Sequence, residues 1–160
     1  MEEVIISLEL TANCYNKQII KKLIVMGRAN KKQAGYRVTN IFLDIKALLK
    51  EVDTRVRNVK KFDRIWYGDA IVMAARDALL LYMRGYNNQT LTEKVRYFKE
   101  VMDKIEEVLI LGNILVELRT ITVRDMSIFM KYAGSIKTQL EDFIKTLEER
   151  IALEQSNNNK

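Results

Sequence analysis

Residues 38–59, VTNIFLDIKALLKEVDTRVRNV, decide the fold of this chain. Apolar residues recur there at steps of three and four over about six turns, which is the spacing of one face of an α-helix. The pattern predicts a long amphipathic helix whose apolar face packs against other helices. The apolar positions are Val38, Ile41, Ile45, Leu48, Leu49, Val52, Val56 and Val59.

Helical periodicity also extends to both sides of this stretch. We predict further helices at about residues 3–29, 63–84, 90–119 and 122–154, with a loop at 85–89. Thr122 with Asp125 three residues later is a variant of the capping box that begins a helix. We expect residues 1–154 to form one helical bundle domain and residues 155–160 to form a disordered polar tail.

The composition favours an all-α fold. The chain contains no proline, although average usage would give about eight, and proline breaks helix interiors. Short connections make long consecutive helices antiparallel neighbours. The sequence therefore predicts an up-and-down four-helix bundle, with an additional or extended helical segment at about residues 60–90.

The residue types present argue against most catalytic chemistry. The chain has no histidine and one cysteine, Cys14, which excludes histidine-based triads and, in a single chain, thiolate clusters. Its six glycines are scattered rather than grouped in a phosphate-binding loop. We expect no enzyme activity and no cofactor. A carboxylate metal site stays a weak alternative; its candidate ligands are Asp69, Asp77, Glu106, Glu107 and Glu117.

The third predicted helix leaves two questions open, one about the role of its acid Asp77 and one about where its apolar residues pack. Asp77 follows Arg76, so a buried ion pair or an oligomer contact is the simpler interpretation of this acid. The nearly apolar residues 70–83 either pack within the chain or form a subunit interface. The interface candidates are Ile71, Val72, Leu79, Leu80 and Tyr82.

The N-terminal residues and the apolar runs bear on the compartment in which we expect the protein. The first residues, Met1, Glu2 and Glu3, are acidic rather than basic, unlike a secretory signal. No apolar run approaches the roughly 18 residues of a membrane span. We expect a cytoplasmic protein that does not bind membranes.

The excess positive charge is concentrated in residues 31–64. The chain carries a net charge of +6, and this segment alone has ten basic and four acidic residues, while the rest has seventeen of each. Such segregation is typical of proteins that bind nucleic acids. We predict a nucleic-acid-binding surface made of Lys31, Lys32, Arg37, Lys46, Lys50, Arg55, Arg57, Lys60, Lys61 and Arg64.

Five of these residues would form a ridge along one flank of the helix, if the helix continues to Arg64. They are Lys46, Lys50, Arg57, Lys61 and Arg64. Tyr36, Trp66 and Tyr67 lie near its ends, where aromatic rings would stack on unpaired bases. Core packing is the alternative role for Trp66 and Tyr67.

The last third of the chain resembles a known family. Leu118-Arg-Thr-Ile-Thr-Val-Arg-Asp-Met126 and Ile136-Lys-Thr-Gln-Leu-Glu-Asp-Phe-Ile-Lys145 are similar to the closing hairpin of the four-helix-bundle proteins. That family includes the 23S ribosomal RNA intervening-sequence proteins and the accessory variability determinant proteins of diversity-generating retroelements. Phe143 stands where the family usually has Trp. Lys31-Lys-Gln-Ala-Gly-Tyr-Arg-Val38 resembles the basic turn before the second helix of the accessory proteins.

This resemblance implies a homo-oligomer, a pentamer of bundles, that binds a reverse transcriptase and template RNA and supports mutagenic complementary-DNA synthesis. Of the predicted site, it covers only Lys31, Lys32 and Arg37. The leading hypothesis is therefore a non-catalytic accessory protein that binds RNA or DNA. The alternative is a scaffold bundle whose basic ridge docks an acidic protein partner.

Overall fold

The structure, a computed structural model, describes residues 39–158. Within this range the chain forms four long α-helices and no strand, which confirms the predicted all-α bundle. None of the described helices is long and apolar enough to cross a membrane. The helix predicted at 3–29, Cys14 and Tyr36 lie outside the described residues.

Helix α1 (Asn40–Val56) is the central part of the stretch that decides the fold. The Thr39 hydroxyl accepts a hydrogen bond from the Phe42 N–H and caps the helix. Ile45, Leu48 and Val52 are fully buried on the predicted face. The periodicity of this stretch therefore identified the core-facing side of α1 correctly.

The end of α1 differs from the prediction. The helix stops at Val56 instead of continuing to Arg64, and the N–H groups of Asn58 and Val59 bond to carbonyls three residues back. Val59 lies in the turn after the helix but is nevertheless buried. The apolar residues thus keep their helical spacing beyond the end of the helix. The prediction that one continuous ridge extends to Arg64 is wrong.

The third predicted helix consists of three consecutive pieces. They are the short helix α2 (Lys61–Asp63), a π-helical turn (Arg64–Gly68) and helix α3 (Asp69–Asn87). A side chain at Gly68 would place its Cβ 2.7 Å from Cγ1 of Val56. Glycine therefore allows the π-helical turn to pass close to the end of α1.

Helix α3 supplies much of the core. Ile71, Leu79 and Tyr82 are buried within the chain, so these three pack internally, whereas the other two interface candidates, Val72 and Leu80, are half-buried. Tyr82 lies 5.6 Å from Phe98, centroid to centroid, and Phe98 lies 5.2 Å from Phe143. This aromatic series connects α3 to the two remaining helices.

Helix α4 (Leu91–Glu117) and helix α5 (Val123–Asn158) form the closing hairpin. The predicted capping box is present: Asp125 N–H donates to the Thr122 hydroxyl over 3.1 Å, and Thr122 N–H donates to the Asp125 carboxylate over 3.0 Å. Helix α5 also extends to Asn158, so residues 155–158 are helical rather than part of a disordered tail. No glycine or proline interrupts this polar stretch.

Neighbouring helices run antiparallel, as an up-and-down bundle requires. Asp44 near the start of α1 accepts hydrogen bonds from Ser135 and Gln139 of α5, whereas Arg55 near its end contacts Asp125. Consequently the end of α1 and the start of α5 lie at the same end of the bundle.

Candidate functional site

Four predicted site residues have no described side chain. Lys31, Lys32 and Arg37 lie outside the described residues, and the side chain of Lys61 does too. The remaining six are Lys46, Lys50, Arg55, Arg57, Lys60 and Arg64, and the structure separates them into three groups.

The first group is the exposed face of α1. Lys46, Lys50 and Arg57 follow one another at steps of four and seven, so their side chains leave the same side of the helix. Lys46 and Lys50 are exposed, and neither forms an ion pair with a described residue. Arg57 is 64% exposed and bonds to Asp53 over 2.6 Å. This face therefore presents two lysines that have no ion-pair partner among residues 39–158, and one paired arginine.

Arg55 forms a second group by itself and stabilises the bundle. Its side chain is 17% exposed, bonds to Glu51 and donates from Nε to the Asp125 carboxylate over 2.7 Å. Burial alone would lower the pKa of Arg55, but the hydrogen bonds with Glu51 and Asp125 raise it. The guanidinium also lies 5.8 Å from the Phe129 ring centroid. Two of its guanidinium nitrogens, Nε and Nη1, bond to these carboxylates, so Arg55 is engaged in contacts within the bundle.

The third group, Lys60 and Arg64, follows the break after α1. Lys60 is exposed in the turn, whereas Arg64 is half-buried in the π-helical turn. Arg64 lies close enough to Asp69 to influence its carboxyl: burial raises the pKa of Asp69, and the positive charge of Arg64 opposes that rise. The helical part of the predicted ridge therefore ends at Arg57, and Lys60 and Arg64 lie beyond it, after the break.

The fold brings a second turn to the same end as this one. The contact between Arg55 and Asp125 joins the end of α1 to the start of α5, and the buried Val59 and Ile121 close the core there. We call residues 57–66 and 118–124 together the basic end. It is a surface that neither segment forms alone.

Two arginines of the basic end were missed by the sequence analysis. Arg119 and Arg124 are exposed, and neither forms an ion pair within the described part of the chain. They lie far outside residues 31–64, so a charge count along the sequence does not group them with that segment. Only the antiparallel packing of α1 and α5 brings the two turns together.

Arg119 has an unusual backbone conformation. Its φ is 53°, and it is the residue after the cap at the end of α4. Thr120 N–H bonds to the Leu115 carbonyl and Arg119 N–H to that of Val116, the pattern of a Schellman motif. Glycine is the usual residue at that position, because a side chain is disfavoured in the left-handed region.

The structure also shows which aromatic residues are at the surface. Trp66 is 65% exposed and Phe62 is 72% exposed, with ring centroids 6.5 Å apart. Tyr67 is half-buried and packs against the core. Trp66 is therefore a surface residue, and both rings belong to the segment that contains Lys60 and Arg64.

The candidate metal ligands are dispersed or paired with basic residues. Glu106 pairs with Lys137, and Glu107 pairs with Lys104 over 2.6 Å. Asp77 pairs with the adjacent Arg76 over 3.1 Å and is 38% exposed, so this ion pair is not buried as expected. In residues 39–158, no three acidic, cysteine or histidine side chains converge as a metal site would require.

Comparison with known proteins gives no family assignment: no protein-family model matches the chain, and no curated protein matches it significantly.

Proposed function

We propose that this protein is a non-catalytic accessory protein that binds RNA or DNA through its basic surfaces. The observation that carries the proposal is the face of α1 on which Lys46 and Lys50 are exposed and free of ion pairs with described residues. Lysines in this arrangement can approach successive phosphates without first breaking an intramolecular ion pair.

Electrostatics give this proposal a measurable consequence. Each lysine or arginine that contacts a phosphate releases condensed counterions, so the binding constant falls as salt rises. The slope of log K against log salt is about −0.7 per contact for single strands and about −0.9 for B-form DNA. Binding through this face therefore requires a steep salt dependence.

The resemblance of the closing hairpin supports a more specific role. We propose that the protein acts beside a reverse transcriptase, contacts its template RNA and supports mutagenic complementary-DNA synthesis. The same resemblance supports a homo-oligomer, specifically a pentamer. In such a ring each subunit repeats the lysines of α1, which would turn a modest charge per chain into a large basic surface.

The experiment is a charge reversal on α1. We expect Lys46→Glu with Lys50→Glu to weaken RNA binding at least about tenfold and to reduce the salt slope by about 1.4 for single-stranded RNA. The matched control reverses Lys145 and Arg150, two exposed residues of α5 with no described ion pair, and should change affinity less than about threefold. Circular dichroism checks that both proteins keep their helicity. Unchanged, salt-insensitive binding by the α1 variant would refute the proposal.

A scaffold that docks an acidic protein is the second candidate. The exposed apolar residues Phe62, Ile65 and Trp66 favour it, because interfaces between proteins bury such residues. A gel-shift titration with single-stranded RNA at increasing salt separates the two functions. The nucleic-acid role requires a shift that salt abolishes, whereas the scaffold role requires no shift at any salt concentration.

A further inference from the structure

We infer that the basic end binds single-stranded nucleic acid by stacking an unpaired base on Trp66. The inference rests on the proposed function and specifies both the form of the ligand and the place where it binds. It starts from a feature that the bundle does not require: large apolar side chains directed away from the core, on a turn rich in positive charge.

The exposure of these side chains is pronounced. Phe62 is 72% exposed, Ile65 is 54% exposed and Trp66 is 65% exposed, all within five consecutive residues. Ile65 and Trp66 belong to the π-helical turn, a rare element that often occurs at functional sites. The turn buries Gly68 against α1 and leaves Ile65 and Trp66 at the surface.

The geometry of the two rings suits a flat aromatic ligand. The planes of Phe62 and Trp66 are inclined by 55° at a centroid distance of 6.5 Å, so they do not cover each other face to face. Every nucleobase has a π-face, and stacking on an exposed aromatic ring is a common way to hold it. In a duplex both faces of a base are already stacked, so only an unpaired base can use this surface.

The surrounding charge favours a nucleic acid over an uncharged partner. Residues 57–66 contain four basic residues and a single acid, Asp63. Arg57 is bonded to Asp53, but Lys60 forms no ion pair with a described residue. The exposed arginines Arg119 and Arg124 extend this charge on the neighbouring turn. A base on Trp66 would therefore place its phosphates among cations.

The exposed apolar area alone is smaller than the whole surface that one partner buries in a stable contact with a second copy of this chain, so the basic surroundings decide which ligand suits it. Side chains of this size present on the order of 400 Å² when partly exposed. Each partner of a stable interface buries about 800 Å². The patch is large enough for one or two bases, and its size and charge together favour that ligand.

The test uses Trp66 as its own reporter, because it is the only tryptophan in the chain. The full-length protein is titrated with oligo(U), oligo(dT) and a duplex, each about 12 nucleotides long, at low salt. We expect saturable quenching of tryptophan fluorescence by a single strand and none by the duplex. Quenching by one or by both single strands shows whether the site distinguishes RNA from DNA.

Two variants test whether the tryptophan whose fluorescence is quenched also contributes to binding affinity. Trp66→Ala should weaken binding of labelled oligonucleotide, followed by fluorescence anisotropy, about tenfold, whereas Trp66→Phe keeps a ring and should stay within about threefold. Leu153→Ala removes another apolar residue, 64% exposed, near the far end of α5 and should leave affinity unchanged. Light scattering on each variant reports the oligomeric state.

The outcomes separate this inference from the function on which it rests. Binding without quenching, with equal affinity for duplex and single strand, overturns the stacking site but leaves the proposed function intact. Absence of any binding overturns both. If Trp66→Ala reduces the size of the oligomer without changing affinity per chain, the patch is a subunit contact and the inference is wrong.

Discussion

The Nε atom of Arg55 donates a hydrogen bond of 2.7 Å to the carboxylate of Asp125, seventy residues away in the sequence. Asp125 also receives hydrogen bonds from the backbone and the hydroxyl of Thr122. One carboxylate thus caps α5 and attaches the end of α1 to it. This relationship holds the two turns of the basic end at the same end of the bundle.

Replacing Asp125 with Asn should destabilise the protein at neutral pH by about 1–2 kcal/mol, because the change weakens both the cap and the contact with Arg55. Burial alone would raise the pKa of Asp125, but the hydrogen bonds from Thr122 and Arg55 outweigh it and lower the pKa below 3.8. The stabilisation is therefore complete above pH 3.8 and is lost as pH falls through the lower folded-state value.

Urea denaturation as a function of pH measures this effect. The difference in unfolding free energy between the wild type and Asp125→Asn should shrink steadily in acid. Asp142→Asn is the matched control, since Asp142 is an exposed acid of the same helix with no described ion pair. A difference that persists unchanged at the lowest pH would show that the charge of Asp125 is not what stabilises the contact.

Two helical glycines should respond oppositely to the same substitution. A Cβ at Gly85 would lie 2.8 Å from Cβ of Tyr97 and 2.9 Å from Cε1 of Phe98, whereas a Cβ at Gly134 has no atom within 4 Å. We expect Gly85→Ala to destabilise the protein by about 1–3 kcal/mol through overpacking. Gly134→Ala should stabilise it by about 0.5–1 kcal/mol, because alanine restricts the unfolded chain and favours the helix.

Thermal unfolding of the two variants measures the change in stability that each substitution causes. Each is the control for the other, since both add one methyl group to a helix. Equal changes in melting temperature would mean that α3 and α4 separate enough at Gly85 to accept a side chain, and that the close approach there does not limit the packing.

The helices were predictable where local chemistry specifies them. Ile45, Leu48 and Val52 lie on the buried face because their spacing matches the helical repeat. Thr122 and Asp125 form their capping box because both partners lie within one turn. In each case the interacting residues are close in sequence, so their pattern contains the information.

The end of α1 and the basic end were not predictable in this way. No proline or glycine lies between Val56 and Lys61. Val59 keeps the helical spacing of the apolar residues and is buried, although it lies in the turn after the helix. Arg55 resembles the other basic residues of its segment until Asp125 is brought beside it from the start of α5. Charge counted along the sequence therefore overestimated the surface of α1 and missed Arg119 and Arg124.

Tyr82 should make stability sensitive to alkaline pH. Its fully buried phenol shares a hydrogen bond of 2.8 Å with the Thr39 hydroxyl. Burial raises the pKa of Tyr82 above its ordinary 10.0, although the bond with Thr39 opposes the shift. The unfolded chain ionises first, so the stabilisation from the neutral phenol is complete below pH 10 and is lost as pH rises through the folded-state pKa.

Tyr82→Phe should cost about 1 kcal/mol near neutrality, because the hydrogen bond is lost. The wild type should lose its advantage over this variant above pH 10, as followed by urea denaturation from neutral to alkaline pH. Thr39→Ser keeps the hydroxyl and should retain the wild-type profile. If the difference between the wild type and Tyr82→Phe stays constant with pH, the phenol is not kept neutral by the fold.

Arg119 allows stability and binding to be separated at one position. Because its φ of 53° favours glycine, Arg119→Gly should stabilise the protein by about 1 kcal/mol. If the exposed guanidinium contacts phosphate at the basic end, the same variant should bind single-stranded RNA more weakly, with a salt slope reduced by about 0.7. Arg119→Lys keeps the charge and the disfavoured conformation, so it should change neither property much. Thermal unfolding and salt-dependent anisotropy measure the two effects independently, and a variant that gains stability without losing affinity would exclude Arg119 from the binding surface.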